Sequence, residues 1–247
     1  MPIIIGRDPF RAAKSRDTAL SRQIARPGDA PSDVRHRRPG TFKPGCNLAF
    51  DVDAEMSGAE PLALLDRWLA EAREAGVPEP ASVAFVTVGE GGRPSARTVS
   101  LKRLEDRALV FTTALWTRKA REIEGNPHVS LLFHWPAIGR QVHIAGRAAV
   151  AERELAVELF SERELSHRVQ TLVSRQGEPI EDIEPLRARH AHLMEALEAP
   201  PECPADWGAI RVLADAVEFM RLAPDRIHDR LLHERTGDSW RVIRLSP

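Results

Sequence analysis

The sequence has 247 residues and a formal net charge of -1, so a whole-protein electrostatic grip on nucleic acid is excluded. Hydrophobic residues make up 43% and charged residues 29%, which permits a packed core and argues against global disorder. Two cysteines, Cys46 and Cys203, exclude a disulfide scaffold or a cysteine-based zinc site, and no apolar run approaches the roughly 20 residues that span a membrane. The start, MPIIIGRDPFRAAK, places apolar residues before charges, the wrong order for a secretory signal, so a cytoplasmic protein is expected. The chain has no tyrosine.

Residues 1–60 read as a basic, loop-rich arm. Up to Lys43 they carry ten basic residues against four acidic ones, and prolines and glycines between Pro27 and Gly45 break any long helix. Only two aromatic residues, Phe10 and Phe42, stand among these charges, too few for a stacking platform, which argues against nucleic acid. From Pro61 the pattern is that of a folded domain. Leu62, Leu64, Leu65, Trp68, Leu69 and Ala72 recur at helical spacing over 61–75, with Gly76 as the stop. Ala81–Val88 and Ser95–Lys102 then alternate as strands around a turn containing Gly89, Gly91, Gly92 and Pro94, the signature of a hairpin. In the second of these, Arg97, Val99 and Leu101 face one way and Thr98, Ser100 and Lys102 the other.

Leu109–Thr113 is a third strand. Thr117 stands where an N-cap belongs, ahead of a short helix that Asn126-Pro127 closes. Strands are expected at Val129–Trp135 and Gln141–Ala151, helices at 151–162 and 182–198, and four strands at Gly208–Leu213, Val217–Leu222, Ile227–His233 and Trp240–Leu245. Many short neighbouring strands with a few helices predict a mainly β, antiparallel barrel with peripheral helices.

Two clusters carry chemistry. Thr117-Arg118-Lys119 opens a helix, so hydroxyl, cations and free backbone N–H groups form an anion site, joined by Arg97, Lys102, Thr112 and Thr113; a solvated strand edge explains the same residues. In the second cluster, alternation puts Arg226, His228 and Arg230 on one strand face with Ile227 inward, and Glu218 as a counter-charge. That face fits an anionic planar ligand, or the outer face of an edge strand. His134, His143, His190 and His192 have no metal spacing, and no GxSxG, Walker or GxGxxG motif is present.

The order of motifs is more telling than any one of them: RTVSLK from Arg97, LVFTT from Leu109, TRKAREIEGNP from Thr117, SLLFHW from Ser130, RQVHIAGRA from Arg140, SRQ from Ser174, WGAIRV from Trp207, VEFM from Val217, RIHDRL from Arg226 and the ending WRVIRLSP. Over Pro61 to Pro247 this resembles the pyridoxine/pyridoxamine 5′-phosphate oxidase family. The resemblance implies a split β-barrel that dimerises, with FMN at the subunit interface and a hydride passing from substrate carbon to flavin, which O2 reoxidises. It implies FMN contacts from Arg97, Thr98, Val99, Ser100, Leu101, Lys102, Thr112, Thr113, Arg118, Lys119, Gln141, Gln176, Gly177, Met220 and Arg230. The implied substrate residues are Lys102, Leu159, Arg163, His167, Arg226 and His228, with Arg226 and His228 over the reacting ring.

Departures fall mainly on the substrate side. Leu159 stands where the family has tyrosine, His167 where it has serine, Gly177 where it has a small hydroxyl residue and Met220 where it has tryptophan. The family's tyrosine-bearing lid has no counterpart in a chain without tyrosine. Three readings follow: oxidation of pyridoxine/pyridoxamine 5′-phosphate, a phenazine-type oxidase of reduced aromatic acids, or a flavin-binding protein without catalysis. Haem or deazaflavin use is a further alternative, which the phosphate-side Arg97, Arg118 and Lys119 disfavour.

Overall fold

The computed structural model describes Met56, residues 60–105 and residues 107–247. The basic arm of residues 1–60 lies outside these, apart from Met56 and Glu60. Helix α1 (Pro61–Glu74) buries the whole apolar stripe read from the sequence. Glu60 caps it, its carboxylate accepting from Leu62 N–H at 2.8 Å. Gly76 ends it at φ 69°, where the Val77 N–H reaches back to the Ala72 carbonyl at 2.9 Å.

Nine strands follow: β1 (Ser82–Val88), β2 (Pro94–Ser100), β3 (Arg103–Glu105), β4 (Ala108–Ala114), β5 (His128–Trp135), β6 (Arg140–Val150), β7 (Trp207–Arg221), β8 (Asp229–Thr236) and β9 (Ser239–Leu245). All pair antiparallel in one sheet, in the order β2-β1-β5-β6-β7-β4-β3, with β8 on the outer half of β7 and β9 on β8. The sheet is curled. Its inward residues, among them Val83, Phe85, Phe111, Leu131, Phe133, Val142, Ile144 and Phe219, form one core with α1. Phe85 of β1 stacks on Phe111 of β4 at 5.3 Å, and Trp68 of α1 meets Phe219 of β7 edge-on at 5.0 Å. The peripheral helices are α2 (Arg118–Gly125), α3 (Arg153–Ser161), α4 (Leu165–Val173) and α5 (Glu184–Ala196).

The sequence reading differs from the structure at four places. The two strands expected at Gly208–Leu213 and Val217–Leu222 are one, β7. The register against β6 shifts where Ala145 faces Ala216 and Gly146 faces Ala214, so Asp215 is the extra residue of a bulge that bends one long strand. Helix α4 and the three-residue β3 were not anticipated. Arg226, Ile227 and His228 precede β8 in a turn, with Arg226 at φ 68°. Strand alternation therefore does not align Arg226, His228 and Arg230, and Ile227 is 67% exposed rather than inward.

The bulge requires glycine on its β6 side: a Cβ at Gly146 would lie 2.2 Å from the Leu213 carbonyl oxygen. At Gly125, the end of α2, an added Cβ would meet nothing within 4 Å. Gly146→Ala is expected to lower stability to urea by about 1–3 kcal/mol, the range for overpacking. Gly125→Ala is expected to be neutral or slightly stabilising, and equal midpoints for the two variants would contradict the bulge geometry.

Candidate functional site: a cationic cavity at the split of the sheet

The two ends of the curled sheet meet where the Lys102 N–H donates to the Val110 carbonyl at 2.9 Å. Beside this seam lies a cavity of about 210 Å³ lined by Thr98, Val99, Ser100 and Lys102 of the β2 segment, Thr112, Thr113 and Ala114 of β4, Trp116, Lys119 of α2, and Trp207. Arg163, His167, Gln170, Thr171, Ser174 and Gln176 complete it from α4 and its flanks. Among the described residues three cations and a histidine line it, and no carboxylate does.

Lys119 is 7% exposed and makes no ion pair among the described residues. Its ammonium donates to Thr113 Oγ1 at 2.8 Å, Thr117 Oγ1 at 3.4 Å and Gln176 Oε1 at 3.3 Å. Burial, with the Arg97 charge nearby, brings its pKa down to about 8. Thr117 sits at the N-cap position, but its hydroxyl donates to the Ala114 carbonyl at 2.8 Å instead of capping α2. Arg163 lies over Trp207 at 4.4 Å from the ring centroid, its Nη2 donates to the His167 carbonyl at 3.0 Å, and its Nη1 is buried with no hydrogen-bond partner among the described residues. Burial and the Arg163 charge also lower the Lys102 pKa. A desolvated donor without an acceptor, beside two further cations, is built for an anion.

Glu122, on the inner side of α2, is a feature the sequence reading passed over. Its carboxylate accepts from Thr87 Oγ1 at 2.5 Å, Ser95 Oγ at 2.6 Å, Arg118 Nε at 2.7 Å and Arg97 Nη2 at 3.4 Å. Burial opposes its charge, but the hydroxyls of Ser95 and Thr87 and the Arg118 guanidinium outweigh it and bring the pKa down to about 2. Arg97 also donates from Nη1 to Thr87 Oγ1 at 2.6 Å and to the Phe85 carbonyl at 3.1 Å. A legible signal existed: Thr87 falls on the inward face of β1 with Val83 and Phe85, and a buried threonine hydroxyl needs a partner.

Of the residues expected at the site, Thr98, Val99, Ser100, Lys102, Thr112, Thr113, Lys119, Gln176, Arg163 and His167 line this cavity. Arg97 and Arg118 flank it through Glu122, and Arg118 opens onto a neighbouring cleft with Gly89 and Glu90. Leu101 is a core residue at 9% exposure. Gly177 is a turn residue at φ 89°, between the Arg175 carbonyl and the Glu178 N–H that bonds it at 3.1 Å. Leu159 is 3% exposed among Val110, Leu155, Ala156 and Ala209, and contributes nothing to the cavity wall. Trp116, Trp207, Thr171 and Ser174 line the cavity without having been anticipated.

The remaining expected residues form a second group at the far end of β7. Gln141 of β6 pairs with Met220, and Met220 with Arg230 of β8, making one row across three strands. Arg230 Nε bonds Glu218 Oε1 at 2.7 Å, the counter-charge read from the sequence. Just before β8, His228 Nδ1 accepts from the Ala223 N–H at 3.0 Å, which leaves the proton of the neutral ring on Nε2. Thr113 pairs with Gly208, twelve residues before Met220, so about 40 Å of β7 contour separates the two groups.

Residues 69–192 match the family described as pyridoxamine 5′-phosphate oxidase, and residues 207–247 match the pyridoxine 5′-phosphate oxidase C-terminal dimerisation region. A pyridoxine/pyridoxamine 5′-phosphate oxidase of Burkholderia ambifaria is 39% identical over 191 residues, 76% of this chain and 89% of that protein. Its counterpart in Rubrobacter xylanophilus is 41% identical over 189 residues, 76% of this chain and 87% of that protein. Among solved structures, PhzG from Burkholderia lata 383 in complex with tetrahydrophenazine-1-carboxylic acid superimposes with a TM-score of 0.74 at 32% identity, covering 81% of this chain and 98% of that one. An FMN binding protein of Nostoc punctiforme shares the fold at a TM-score of 0.64 and 18% identity, over 76% of this chain and 98% of that one. With its curled antiparallel sheet and peripheral helices, this chain belongs to the pyridoxine/pyridoxamine 5′-phosphate oxidase family of split-barrel enzymes.

Proposed function

We propose that the protein is an FMN-dependent oxidase of a planar, anionic aromatic substrate. The observation that carries this is the cavity at the split, which gathers Lys102, Lys119 and Arg163 with no carboxylate on its wall. The donor set fits the cofactor. Lys119, Thr113, Thr117 and Gln176 supply a dianion with a desolvated ammonium and short polar side chains, and the β2 backbone from Thr98 to Ser100 offers an edge for a flat ring system. When bound, FMN supplies the two-electron acceptor. Lys102 and Arg163 hold the anionic end of the substrate, with His167 beside them, and the contact with Trp207 at 4.4 Å seats that guanidinium against the indole.

The protein works as a homodimer on this reading. A cavity of about 210 Å³ is smaller than the usual ~300–1,000 Å³ of small-molecule sites. The row of Gln141, Met220 and Arg230, with Arg226 and His228, is too far along β7 to serve the same cavity within one chain. A second copy brings that group to it under two-fold symmetry, and the match of residues 207–247 to a dimerisation region supports this. There Arg226 and the Nε2–H of His228 orient the substrate and steady charge near the reacting carbon.

The named relatives favour pyridoxine or pyridoxamine 5′-phosphate as substrate. One observation favours a reduced aromatic carboxylic acid instead: Leu159 is locked in an apolar cluster and offers no hydroxyl for a phosphate, while the PhzG relative holds tetrahydrophenazine-1-carboxylic acid. Oxygen consumption with pyridoxine 5′-phosphate and with a panel of reduced aromatic acids decides between them. Loss of a charge-assisted bond in Arg163→Met is expected to raise KM for the preferred anion by about tenfold or more while flavin content stays. An unchanged KM would remove Arg163 from the substrate site.

FMN affinity is expected to carry the signature of Lys119. Below its pKa of about 8 the buried ammonium is charged and attracts the phosphate; as pH rises through that value the charge, and with it affinity, is lost. Fluorescence titration of the stripped protein with FMN should show this decline, and Lys119→Gln should bind weakly and without it. A wild-type affinity that is flat across this range would contradict the assignment.

A further inference from the structure

We infer that Glu122 is a positioning residue for cofactor affinity, holding Arg97 and Arg118 behind Lys119, on the α2 side of the cavity. The inference rests on the FMN reading above and adds a residue to it.

Glu122 is the carboxylate on which four donors converge: two hydroxyls, from Thr87 and Ser95, and two guanidinium groups, from Arg97 and Arg118. Only an ionised carboxylate accepts from so many donors at once; an amide of the same size has one acceptor oxygen and turns an NH2 group toward the rest. The position is tight. A Cβ at Gly89 would lie 2.9 Å from Glu122 Oε1, so the β1–β2 turn closes directly over the carboxylate. Arg97 is thereby pinned between β1 and α2, near enough to Lys119 to depress its pKa. Arg118, whose side chain is 64% exposed, has Glu122 as its ion-pair partner.

Charge balance gives the carboxylate its purpose. Arg97, Arg118 and Lys119 together with Glu122 leave two net positive charges, against about −1.5 to −2 for a phosphate monoester at pH 7. The carboxylate therefore fixes the arginines and also keeps three cations from repelling one another before the anion arrives. Removing it has two opposed effects: the loss of a negative charge favours phosphate, and the loss of the bonds to Arg97 Nη2 and Arg118 Nε loosens Arg118 and leaves Arg97 tied only to Phe85, Thr87 and Ser95 of the hairpin. The second prevails, because a guanidinium gives a phosphate directed bonds only when it is held in place.

The experiment is fluorescence titration of the full-length, flavin-stripped chain with FMN and with riboflavin, which lacks the phosphate. The wild type is expected to prefer FMN strongly. Glu122→Gln should weaken FMN about tenfold and leave riboflavin within about twofold, as for the loss of a charged hydrogen bond. Glu122→Asp, which keeps the charge, should recover part of that loss, and adding Glu122→Gln to Arg97→Met should cost little more than Arg97→Met alone. FMN affinity that is unchanged or tighter in Glu122→Gln, or a parallel fall for riboflavin, overturns the inference. A wild type that does not distinguish FMN from riboflavin overturns the phosphate assignment and this inference with it; a preference that Glu122→Gln leaves intact overturns this inference alone.

Discussion

The chain itself joins the two ends of the sheet, β2 and β3, through Leu101 and Lys102: the Leu101 N–H donates to the Ala81 carbonyl beside β1 and the Lys102 N–H to the Val110 carbonyl of β4, both at 2.9 Å, and the cavity lies beside this crossing. A twisted antiparallel sheet either leaves edges open or curls until they meet. Here the Phe85–Phe111 stack fills the space across the curl, and α1 plugs the rest with Trp68. Closure sets β2 and β4 face to face, so threonines and a lysine that are remote in sequence share one wall. It also leaves a split, which α2 and α4 border with Lys119 and the Arg163–His167 segment. Without the seam the same residues are scattered polar positions on unconnected strands.

Electrostatics then divide the region in two. On the α2 side, the charges of Arg97 and Arg118 meet the buried carboxylate of Glu122, which four hydrogen bonds hold ionised. On the cavity side, no carboxylate stands among the described lining residues beside Lys102, Lys119 and Arg163. Burial lowers the pKa of all three, to about 8 for Lys119, which is 7% exposed. Such an arrangement costs stability in the free protein and is relieved by an anion. The two sides meet at Lys119, whose pKa the nearby Arg97 charge helps to lower.

Much of this was legible in the sequence. Helix α1, the β1–β2 hairpin, β4, α2, β5 and β6 follow from clean periodicity bounded by glycine and proline, and the bounds agree within a residue or two. What failed did so for identifiable reasons. Ala214-Asp215-Ala216 looks like a break because a bulge needs no apolar residue at its extra position. Helix α4 buries only Val169, Thr171 and Val173, too little for a helical stripe. The Arg226–His228 turn was read as a strand because its alternation is regular, and only the left-handed backbone at Arg226 reveals the turn. Glu122 was passed over because its partners Thr87, Ser95 and Arg97 come from two strands that a local reading cannot fold against α2.

The two ends of the cavity are anchored differently, and this bears on which substitutions the scaffold accepts. The Lys119 end is built from β1, β2, β4 and the start of α2, with Thr87, Arg97 and Glu122 tying the β1–β2 hairpin to α2. The Arg163 end rests on α3 and α4. Leu159 completes an apolar cluster there with no polar duty, and His167 stands exposed at the cavity wall, supported through its backbone carbonyl by Arg163 and Thr171. The two positions differ in what the scaffold accepts: Leu159 packs on Val110 of β4 and Ala209 of β7, so a polar group there strikes the sheet, whereas the exposed His167 side chain can change without reaching the core.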